Sequence, residues 1–511
     1  MSEVSISDYL QTHLARNAGQ PMNRQLYRLL RDGILAGAVA PGLRVPPSRA
    51  LAADLGVSRN TVTYAYDQLT AEGYLEARVG DGTYVADTEP DMSRLAPART
   101  GVAAPAPAGG DALSARGRRL LSGIGAGSAQ WGAFMPGIPD VTRFPHDVWN
   151  KLQQRHWRHA EPRLLTYGDG AGHPALREAI ASHLRTARSV DCTPEQVIMT
   201  SGTHQAIQLV LTLLGEGGDR AWVEDPCYWG TRNVIRSSGL DPVAIPVDGE
   251  GMCVTDDAMR APPRFIFVTP SHQYPLGPVM SLARRRLLLE YAARNSAWIV
   301  EDDYDSEFRY GGPPLASLQG LDQHARTIYL GTFSKTLFPG LRIGFMVVPR
   351  ALAANFARAN AEMYRDGQGF LHAVLADFIG EGHFSSHVRR MRQLYAARLK
   401  ALQMAIRTHL GTGAGILGSD AGLHLVLALP ADADDVAISA AARAAGILTR
   451  PLSAYYADPH ASNARRGLML GYAAVPEEQI DPLFRKLADI IRRRVAAPNT
   501  PACCTPPSGD R

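Results

Sequence analysis

One lysine in the second half of the chain has the surroundings of a nucleophile. Lys335 lies in the segment GTFSKTLFPGLRIGF (331–345), directly after the strand-like run TIYLGT (327–332), and Arg342 follows it by seven residues. A lone lysine is most often a solvated surface charge. Small and apolar neighbours, however, lower the pKa of an amine and leave it nucleophilic, as Schiff-base chemistry needs. The segment therefore predicts that Lys335 bonds covalently to a carbonyl compound.

A second segment, AWIVEDDYDSEF (297–308), places a carboxylate and a phenol two residues apart. On a strand this spacing points Asp302 and Tyr304 to the same face. Such a pair can hold both ends of an aromatic heterocycle, because the carboxylate keeps a pyridinium nitrogen protonated while the phenol donates to a ring oxygen. The alternative is an acidic strand end facing solvent, since Glu301, Asp303 and Asp305 are close by.

A third segment, VIMTSGTHQAIQLVLTLL (197–214), predicts a phosphate site. A buried-type strand ends at Thr200, and Ser201, Gly202 and Thr203 open a long apolar helix. The free N–H groups and the dipole at such a terminus favour an anion. Taken alone, these three residues are equally typical of an ordinary helix cap.

Along the chain, the predicted phosphate site comes first, the Asp302 and Tyr304 strand second and the Lys335 segment third. In this order the three segments resemble fold-type I pyridoxal phosphate enzymes, the aspartate aminotransferase superfamily. The resemblance covers residue 130 to about residue 495. It includes YGDGAGHPALREAIASHL (167–184), EDPCYWG (224–230) and TPSHQYPLGPVMS (269–281), which look like the aminotransferase-like domain of the MocR subfamily of GntR regulators. The implied architecture is multidomain: an N-terminal winged helix-turn-helix plus an α/β aminotransferase fold type I domain. Strand-like runs that alternate with helical patterns agree with an α/β domain.

The resemblance implies pyridoxal 5′-phosphate as the cofactor, no metal, and a role for each matching residue. Lys335, the catalytic residue, would form the internal aldimine, and Asp302 would pair with the pyridine nitrogen. Tyr304 would hydrogen-bond the ring O3′. Tyr228 would stack on the ring, its alternative being a core aromatic residue. The residues around the phosphate would be Gly202, Thr203, His204, Thr332, Ser334 and Arg342, and those near the ring would be His272 and Gln273.

One departure from the superfamily concerns the ligand. Aminotransferases of this fold commonly place a carboxylate-binding arginine before a turn near the C-terminus, and here GLMLGYA (467–473) has Met469 at that position. Arg450, Arg465 and Arg466 are candidates to replace it. Binding of an ordinary α-amino-acid carboxylate is therefore in doubt. The effector could instead be another amine, a dipeptide, a sulfonate such as taurine, or the cofactor itself.

The first part of the chain carries a different pattern. MNRQLYRLLRDGILAG (22–37) has helical periodicity, and two short helices follow, joined by the turn at 56–58, with Ser48 and Ser58 as predicted N-caps. Short helices around a glycine-containing turn are typical of the helix-turn-helix. YLEARVGDGTYVA (74–86) then predicts a β-hairpin, or wing. A small helical interaction module is the alternative.

The stretch from Ser48 to Val85 resembles the GntR-type winged helix-turn-helix from end to end. The resemblance implies that Arg49, Arg59 and Thr61 contact an operator in double-stranded DNA and that the hairpin tip approaches the minor groove. The full set of expected DNA-binding residues is Ser48, Arg49, Arg59, Asn60, Thr61, Thr63, Tyr64, Arg78, Gly80 and Gly82. Residues 21–87 hold seven arginines and seven acids, so the placement of the arginines, not bulk charge, must attract DNA.

Length and composition set the wider frame. The chain has 511 residues, a length that suggests about three domains. Its residues are 45% hydrophobic and 20% charged, with a net charge of +4, and this composition excludes wholesale disorder. The five cysteines have neither disulfide-framework nor zinc-site spacing. No run resembles a signal peptide or a membrane span, so we expect a soluble, cytoplasmic protein.

Composition and the two resemblances together predict four regions. Residues 21–88 form the DNA-binding domain, 89–128 a flexible basic linker rich in Pro, Ala and Gly, 129–495 the aminotransferase-like domain, and 496–511 a disordered tail.

Three functions are consistent with these features. The first is a transcription regulator that senses a small amine or amino-acid-like effector. By resemblance it would be a homodimer, for which a head-to-tail arrangement is one option. The second is a working aminotransferase with an accessory DNA-binding domain. The third, a scaffold without cofactor, fits least, because the cofactor residues are retained.

Overall fold

The computed structural model describes residues 6–14, 20–78, 80–87, 113–121, 130–311, 315–365, 368–418 and 420–495. The chain divides into two compact units, residues 1–109 and 110–511. The predicted tail (496–511) and most of the predicted linker lie outside the described residues.

In its described residues, the first unit contains four helices and a hairpin. These are α1 (Ile6–His13), α2 (Met22–Leu35), α3 (Ser48–Leu55), α4 (Arg59–Ala71), β1 (Leu75–Arg78) and β2 (Gly82–Val85). The two strands pair antiparallel, from Leu75 opposite Val85 to Arg78 opposite Gly82. Helix-turn-helix and wing are thus both present.

The core of this unit follows the spacing of its apolar residues. Helix α4 buries Val62, Ala65, Tyr66 and Leu69 along one face. The hydroxyl of Tyr66 donates to the carbonyl of Pro46 at 2.9 Å. This bond ties α4 to the segment that precedes α3, so it helps to fix the angle between the two helices.

The caps of α3 and α4 differ in kind. Ser58 caps α4 as predicted, because its Oγ accepts from the backbone N–H of Thr61 at 3.2 Å. The prediction that Ser48 caps α3 is wrong, since α3 begins at Ser48 and the cap position is held by Pro47. Pro47, with its ring-restricted φ of −53° and an extended ψ of 138°, supplies the non-helical boundary.

Two helices lie in segments for which the sequence predicted none. Ile6 and Leu10 of α1 are buried in the core of the first unit, and Ser7 Oγ donates to Asp54 of α3 at 2.9 Å. In the second unit, α5 (Ala115–Leu121) falls inside the range predicted as linker and lies against the helix Trp229–Ser237.

The rest of the second unit is an α/β structure with a smaller, helix-covered sheet at its C-terminal end. Its elements are α6 (His146–Arg158), α7 (Pro174–Arg188), β3 (Val197–Thr200), α8 (Thr203–Leu214), β4 (Arg220–Asp225), α9 (Trp229–Ser237), β5 (Asp241–Asp248), β6 (Gly251–Met252), α10 (Asp256–Met259), β7 (Phe265–Val268), α11 (Leu282–Arg294), β8 (Trp298–Asp303), β9 (Thr327–Thr332), β10 (Gly344–Val347), α12 (Ala353–Tyr364), α13 (Gly369–Gly380), α14 (His383–Leu410), β11 (Ile416–Leu417), β12 (His424–Ala428), α15 (Asp435–Ala444), β13 (Arg450–Pro451), β14 (Gly467–Gly471) and α16 (Glu477–Val495).

The large sheet has the strand order β3-β10-β9-β8-β7-β4-β5-β6. Its strands are parallel except β10, which is antiparallel to β3 and β9, and β6, which is antiparallel to β5. Strands β3, β7 and β10 are buried along their whole length, as expected for a sheet with helices on both faces. The parallel direction brings the carboxyl ends of β3, β4, β7, β8 and β9 to one edge.

The smaller sheet is antiparallel, in the order β11-β12-β14-β13. Helices α14, α15 and α16 cover it around an apolar core that includes Leu402, Ile438 and Phe484. No helix among the described residues is long and apolar enough to cross a lipid bilayer.

Candidate cofactor site and DNA-binding surface

A cavity of about 350 Å³ lies at the carboxyl ends of the parallel strands. Ligands of open α/β sheets bind at this edge. The structure brings together ten of the twelve residues that the sequence predicts around the cofactor, all except His272 and Gln273. The cavity is lined by Gly202, Thr203, His204, Tyr228, Asp302, Tyr304, Thr332, Ser334, Lys335 and Arg342.

Lys335 reaches the cavity from the loop after β9. Its Nζ donates to the carbonyl of Gly137 at 2.8 Å. Gly137 has a φ of 74°, and a Cβ there would lie 3.0 Å from Nζ, so a larger residue would crowd the amine. Burial lowers the pKa of Lys335, while the carboxylates of Asp305 and Asp302 oppose that shift. A less basic amine is unprotonated over more of the pH range, which suits a nucleophile.

Asp302 is a buried acid of the cavity lining whose hydrogen bonding is incomplete. Its Oδ1 is buried and has no hydrogen-bond partner among the described residues. Desolvation raises the pKa of Asp302 to about 7, and the charge of Asp303 adds to this, whereas Lys335 works against it. A ligand N–H placed at this oxygen would satisfy the carboxylate and favour its charged form.

Tyr304 is the cavity-lining member of a series of polar contacts that continues through His272 to Asp305. Its hydroxyl is 3.0 Å from Nδ1 of His272, and the same nitrogen is 3.1 Å from a carboxylate oxygen of Asp305. Burial raises the pKa of Tyr304 well above its usual value, and nearby acids add to the shift. The phenol therefore stays protonated and can donate to a ligand oxygen.

The opposite end of the cavity is positively polarised. Gly202 is the N-cap of α8 with a φ of 132°, and a Cβ on it would lie 3.4 Å from a guanidinium nitrogen of Arg342. Arg342 itself has a left-handed φ of 53°, and it has no ion pair in the described part of the chain. A helix N-terminus beside an uncompensated arginine favours a phosphate.

Tyr228 and His204 form the aromatic wall of the cavity. Their hydroxyl and Nε2 atoms are 3.2 Å apart, and their ring centroids 5.6 Å. Burial lowers the pKa of His204, and the charge of Arg342 lowers it further. His204 is therefore neutral near pH 7 and is suited to a hydrogen bond rather than an ion pair.

His272 and Gln273 act behind the cavity and do not line it. His272 contacts Tyr304, as above. The Nε2 of Gln273 donates to the carbonyl of Pro226 at 2.8 Å and to Glu224 at 3.2 Å. Gln273 therefore holds the loop after β7 against the loop after β4.

Sequence reasoning missed several residues that line the cavity. They are Gly137, which contributes a carbonyl, the acid Glu224, and the tyrosines Tyr274 and Tyr455. Desolvation raises the pKa of Glu224 to about 7. The EDPCYWG and SHQYPLG segments contained the signal for Glu224 and Tyr274, whereas Gly137 and Tyr455 lie in segments without a distinctive motif.

Met469, the residue in place of the expected arginine, is fully buried in β14 within an apolar cluster with Leu276, Val426 and Leu452. Of the three arginines proposed to replace it, Arg450 lines the cavity. Arg465 lines a separate cavity, and Arg466 lines neither.

The expected DNA-binding residues of the first unit lie on two helices, α3 and α4, and on the hairpin. Arg59 and Asn60 at the start of α4 are exposed, and so is Arg49 on α3. Tyr64 is 46% exposed. Ser48, Thr61 and Thr63 are half-buried. The Oγ1 of Thr61 also lies 2.8 Å from the Oγ of Ser58.

The hairpin tip contains Gly80 and Gly82, with φ values of 81° and 122°. Arg78 is held within the hairpin, 2.5 Å from Glu76 and over the ring of Tyr84. Sequence reasoning missed Arg44, whose exposed side chain runs beside Gly82 and has no ion pair among the described residues.

Family models match both units. Residues 22–85 match bacterial regulatory proteins of the gntR family, and residues 139–487 match aminotransferase class I and II. The fold resembles the kynurenine aminotransferase of Pyrococcus horikoshii, with a TM-score of 0.66 and 26% identity, over 72% of this chain and 93% of that one.

Two relatives span both units. The probable rhizopine catabolism regulatory protein MocR of Rhizobium meliloti is 45% identical over 90% of this chain and 92% of its own length. The uncharacterized HTH-type transcriptional regulator YhdI of Bacillus subtilis is 34% identical over 93% of this chain and 96% of its own length. These comparisons favour a regulator over an aminotransferase with an accessory domain. The chain belongs to the MocR subfamily of GntR-type transcription regulators, in which a DNA-binding winged helix-turn-helix is joined to an aminotransferase-like domain.

Proposed function

We propose that this regulator binds pyridoxal 5′-phosphate at Lys335 and senses an amino compound through it. The observation that carries the proposal is the unpartnered Oδ1 of Asp302, which faces the same cavity as Lys335 and Arg342. An unsatisfied buried oxygen is costly unless a ligand completes it. A protonated pyridine nitrogen would do so.

Each residue then has a role in holding the cofactor. The phosphate would be bound at the N-terminus of α8 by Arg342, Gly202, Thr203, Thr332 and Ser334. Tyr304, held by His272, would donate to the ring oxygen. Tyr228 would cover one face of the ring, with His204 beside it.

Pyridoxal phosphate supplies an aldehyde carbon that condenses reversibly with a primary amine and releases water. Lys335 would hold that carbon until an effector amine displaces it. Displacement frees the lysine amine, whose neutral form the buried site favours. The resulting rearrangement around Lys335 would shift the balance between two states of the second unit, and the chain between the units would pass that shift to the DNA-binding unit. The effector could also be the cofactor itself.

We also propose that operator DNA is contacted by Arg49, Arg59, Asn60, Tyr64 and the hairpin tip, with Ser48, Thr61 and Thr63 near the backbone. Phosphate contacts would fix the register, and side chains of α4 would contact base edges in the major groove.

A homodimer is the expected assembly. Trp131, Trp157 and Tyr167 of the second unit are 52%, 57% and 70% exposed, and large exposed aromatic residues are typical of interfaces. Sedimentation at micromolar concentration should give twice the mass of the chain, and a monomer would contradict this part of the proposal.

The test compares the wild type with Lys335→Ala and, as a matched control, Lys151→Ala, which removes an exposed lysine of α6. Pyridoxal phosphate is added to the cofactor-free proteins, and the visible absorbance and operator affinity are measured. The wild type and Lys151→Ala should develop the absorbance band of a lysine-bound cofactor, and Lys335→Ala should not. A band of equal intensity in Lys335→Ala would overturn the proposal. Release of a keto product over many cycles would show an enzyme instead.

A further inference from the structure

Arg450 occupies an unusual place relative to Met469. The two residues are directly opposite each other in the register of β13 and β14. Residues opposite each other in an antiparallel pair project to the same face, about 5 Å apart. Arg450 is therefore a cation on the same face as the position where the superfamily commonly has arginine, but one strand further out, on the edge strand β13.

The side chain of Arg450 lies among phenols of the cavity lining and forms an ion pair with neither of the two acids in that lining. Among the described residues, Arg450 has no ion pair, although it lines the cavity together with Tyr228, Tyr274 and Tyr455. Burial raises the pKa of each of these tyrosines, and the positive charge of Arg450 opposes the shift in all three. The positive charge of Arg450 is therefore close enough to influence all three tyrosines of the cavity lining.

The neighbouring hydroxyls can support an anion. The hydroxyls of Tyr274 and Tyr455 are 3.5 Å apart, a long contact that leaves both able to donate elsewhere. An uncompensated arginine beside phenolic donors matches the geometry of a carboxylate or a sulfonate. Arg342, the other uncompensated arginine of the cavity, lies at the N-terminus of α8 and is committed to the phosphate end.

We infer that Arg450 binds an anionic group of the effector, so that the effector is an amine that also carries a carboxylate or sulfonate. This inference rests on the proposed function, because it assumes that the amine of the effector meets the cofactor at Lys335. With the arginine on the strand opposite position 469, the anion site would lie in a different place from that of an ordinary aminotransferase, and the preferred chain length of the effector should differ accordingly.

The experiment uses the full-length protein loaded with pyridoxal phosphate. Its probes are ω-amino acids, ω-aminosulfonates and α-amino acids of increasing chain length, each compared with the alkylamine of the same length that lacks the anionic group. The readout is the concentration that produces half of the change in the visible absorbance. For the best-fitting chain length, the anionic probe should act at a concentration at least about tenfold lower than its alkylamine, as expected for a charge-assisted contact.

Three variants assign that preference to one side chain. Arg450→Gln should reduce the preference to about onefold, Arg450→Lys should keep part of it, and Arg466→Gln should leave it unchanged, since Arg466 does not line the cavity. Thermal unfolding of each loaded variant verifies that the fold is retained.

The outcomes separate the two proposals. If the wild type forms no cofactor band, the proposed function fails and this inference fails with it. If the band forms but no anionic probe outperforms its alkylamine, or if Arg450→Gln retains the full preference, the anion site at Arg450 is wrong while cofactor binding stands.

Discussion

At the scale of single residues, β8 carries three successive acids in three different environments. Both oxygens of Glu301 accept backbone N–H groups, from Leu318 and Gln319, each at 2.8 Å. Asp303 pairs with the buried Arg188 at 2.7 Å. Asp302 has an oxygen without a partner. Of the three, Asp302 is therefore the acid that is incomplete without a ligand.

The variant Asp302→Asn should have opposite effects on the empty and the loaded protein. Desolvation raises the pKa of Asp302 from 3.8 to about 7, so between these values the folded, cofactor-free protein holds a proton that the unfolded chain has lost. Stability therefore falls as the pH rises through this window. The asparagine cannot ionise, so thermal unfolding between about pH 5 and about pH 8 should show a smaller loss than in the wild type.

The same variant should bind pyridoxal phosphate at least about tenfold more weakly, because a neutral amide does not stabilise a pyridinium proton. Absorbance titration measures this. Glu301→Gln is the control for cofactor binding: Glu301 accepts backbone N–H groups and does not line the cavity, so this variant should lower the stability of the fold but leave the affinity for pyridoxal phosphate unchanged. A wild-type pH profile in Asp302→Asn would show that this carboxylate does not titrate in the window.

Sequence alone predicted the site residues that follow the ends of strands. Lys335, Asp302 and Gly202 are each attached to an apolar run, so the direction of the strands places them at one edge. Gly137 could not be found in this way, and the sequence named Arg450 only as one of three candidate arginines. Gly137 contributes a backbone carbonyl, for which side-chain chemistry gives no signal, and the position of Arg450 depends on the register between β13 and β14.

At the scale of elements, the turn between α3 and α4 determines which side chains at the start of α4 are available to contact DNA. Gly56 ends α3 in a left-handed conformation, with a φ of 63°. Ser58 is the N-cap of α4, which begins at Arg59. The turn and the second cap were predictable, because both depend on local backbone chemistry. Helix α1 was not predicted, since it is short and its two buried residues, Ile6 and Leu10, give a weak periodic signal.

Arg59→Ala should weaken operator binding by about tenfold at moderate salt, since Arg59 is exposed at the start of α4 and has no ion pair among the described residues. The matched control is Arg31→Ala, which removes an arginine of α2 that is already paired with Asp32. Fluorescence anisotropy with operator DNA measures both affinities. Equal affinity of Arg59→Ala and wild type would argue against docking through α4.

At the scale of the whole molecule, the proposed function requires that an event at Lys335 be transmitted to operator DNA. Two DNA-binding units joined through a dimer would bind two half-sites together, and such linkage raises the apparent affinity by about a hundredfold or more without new contacts. The cofactor cavity and α4 belong to different compact units, and we expect the chain between them to carry the coupling.

Cutting that chain should separate the two functions. A protease site introduced into the Pro-Ala-Gly segment at 100–109 allows cleavage of the purified, loaded protein. After cleavage, the cofactor absorbance should be unchanged, because every cavity residue lies in the second unit. Operator affinity should fall to that of a single half-site, and it should no longer respond to loading with pyridoxal phosphate. The uncut protein with the same insertion is the control. Cleaved protein that still responds to loading would mean that coupling passes through contact between the units rather than through the chain.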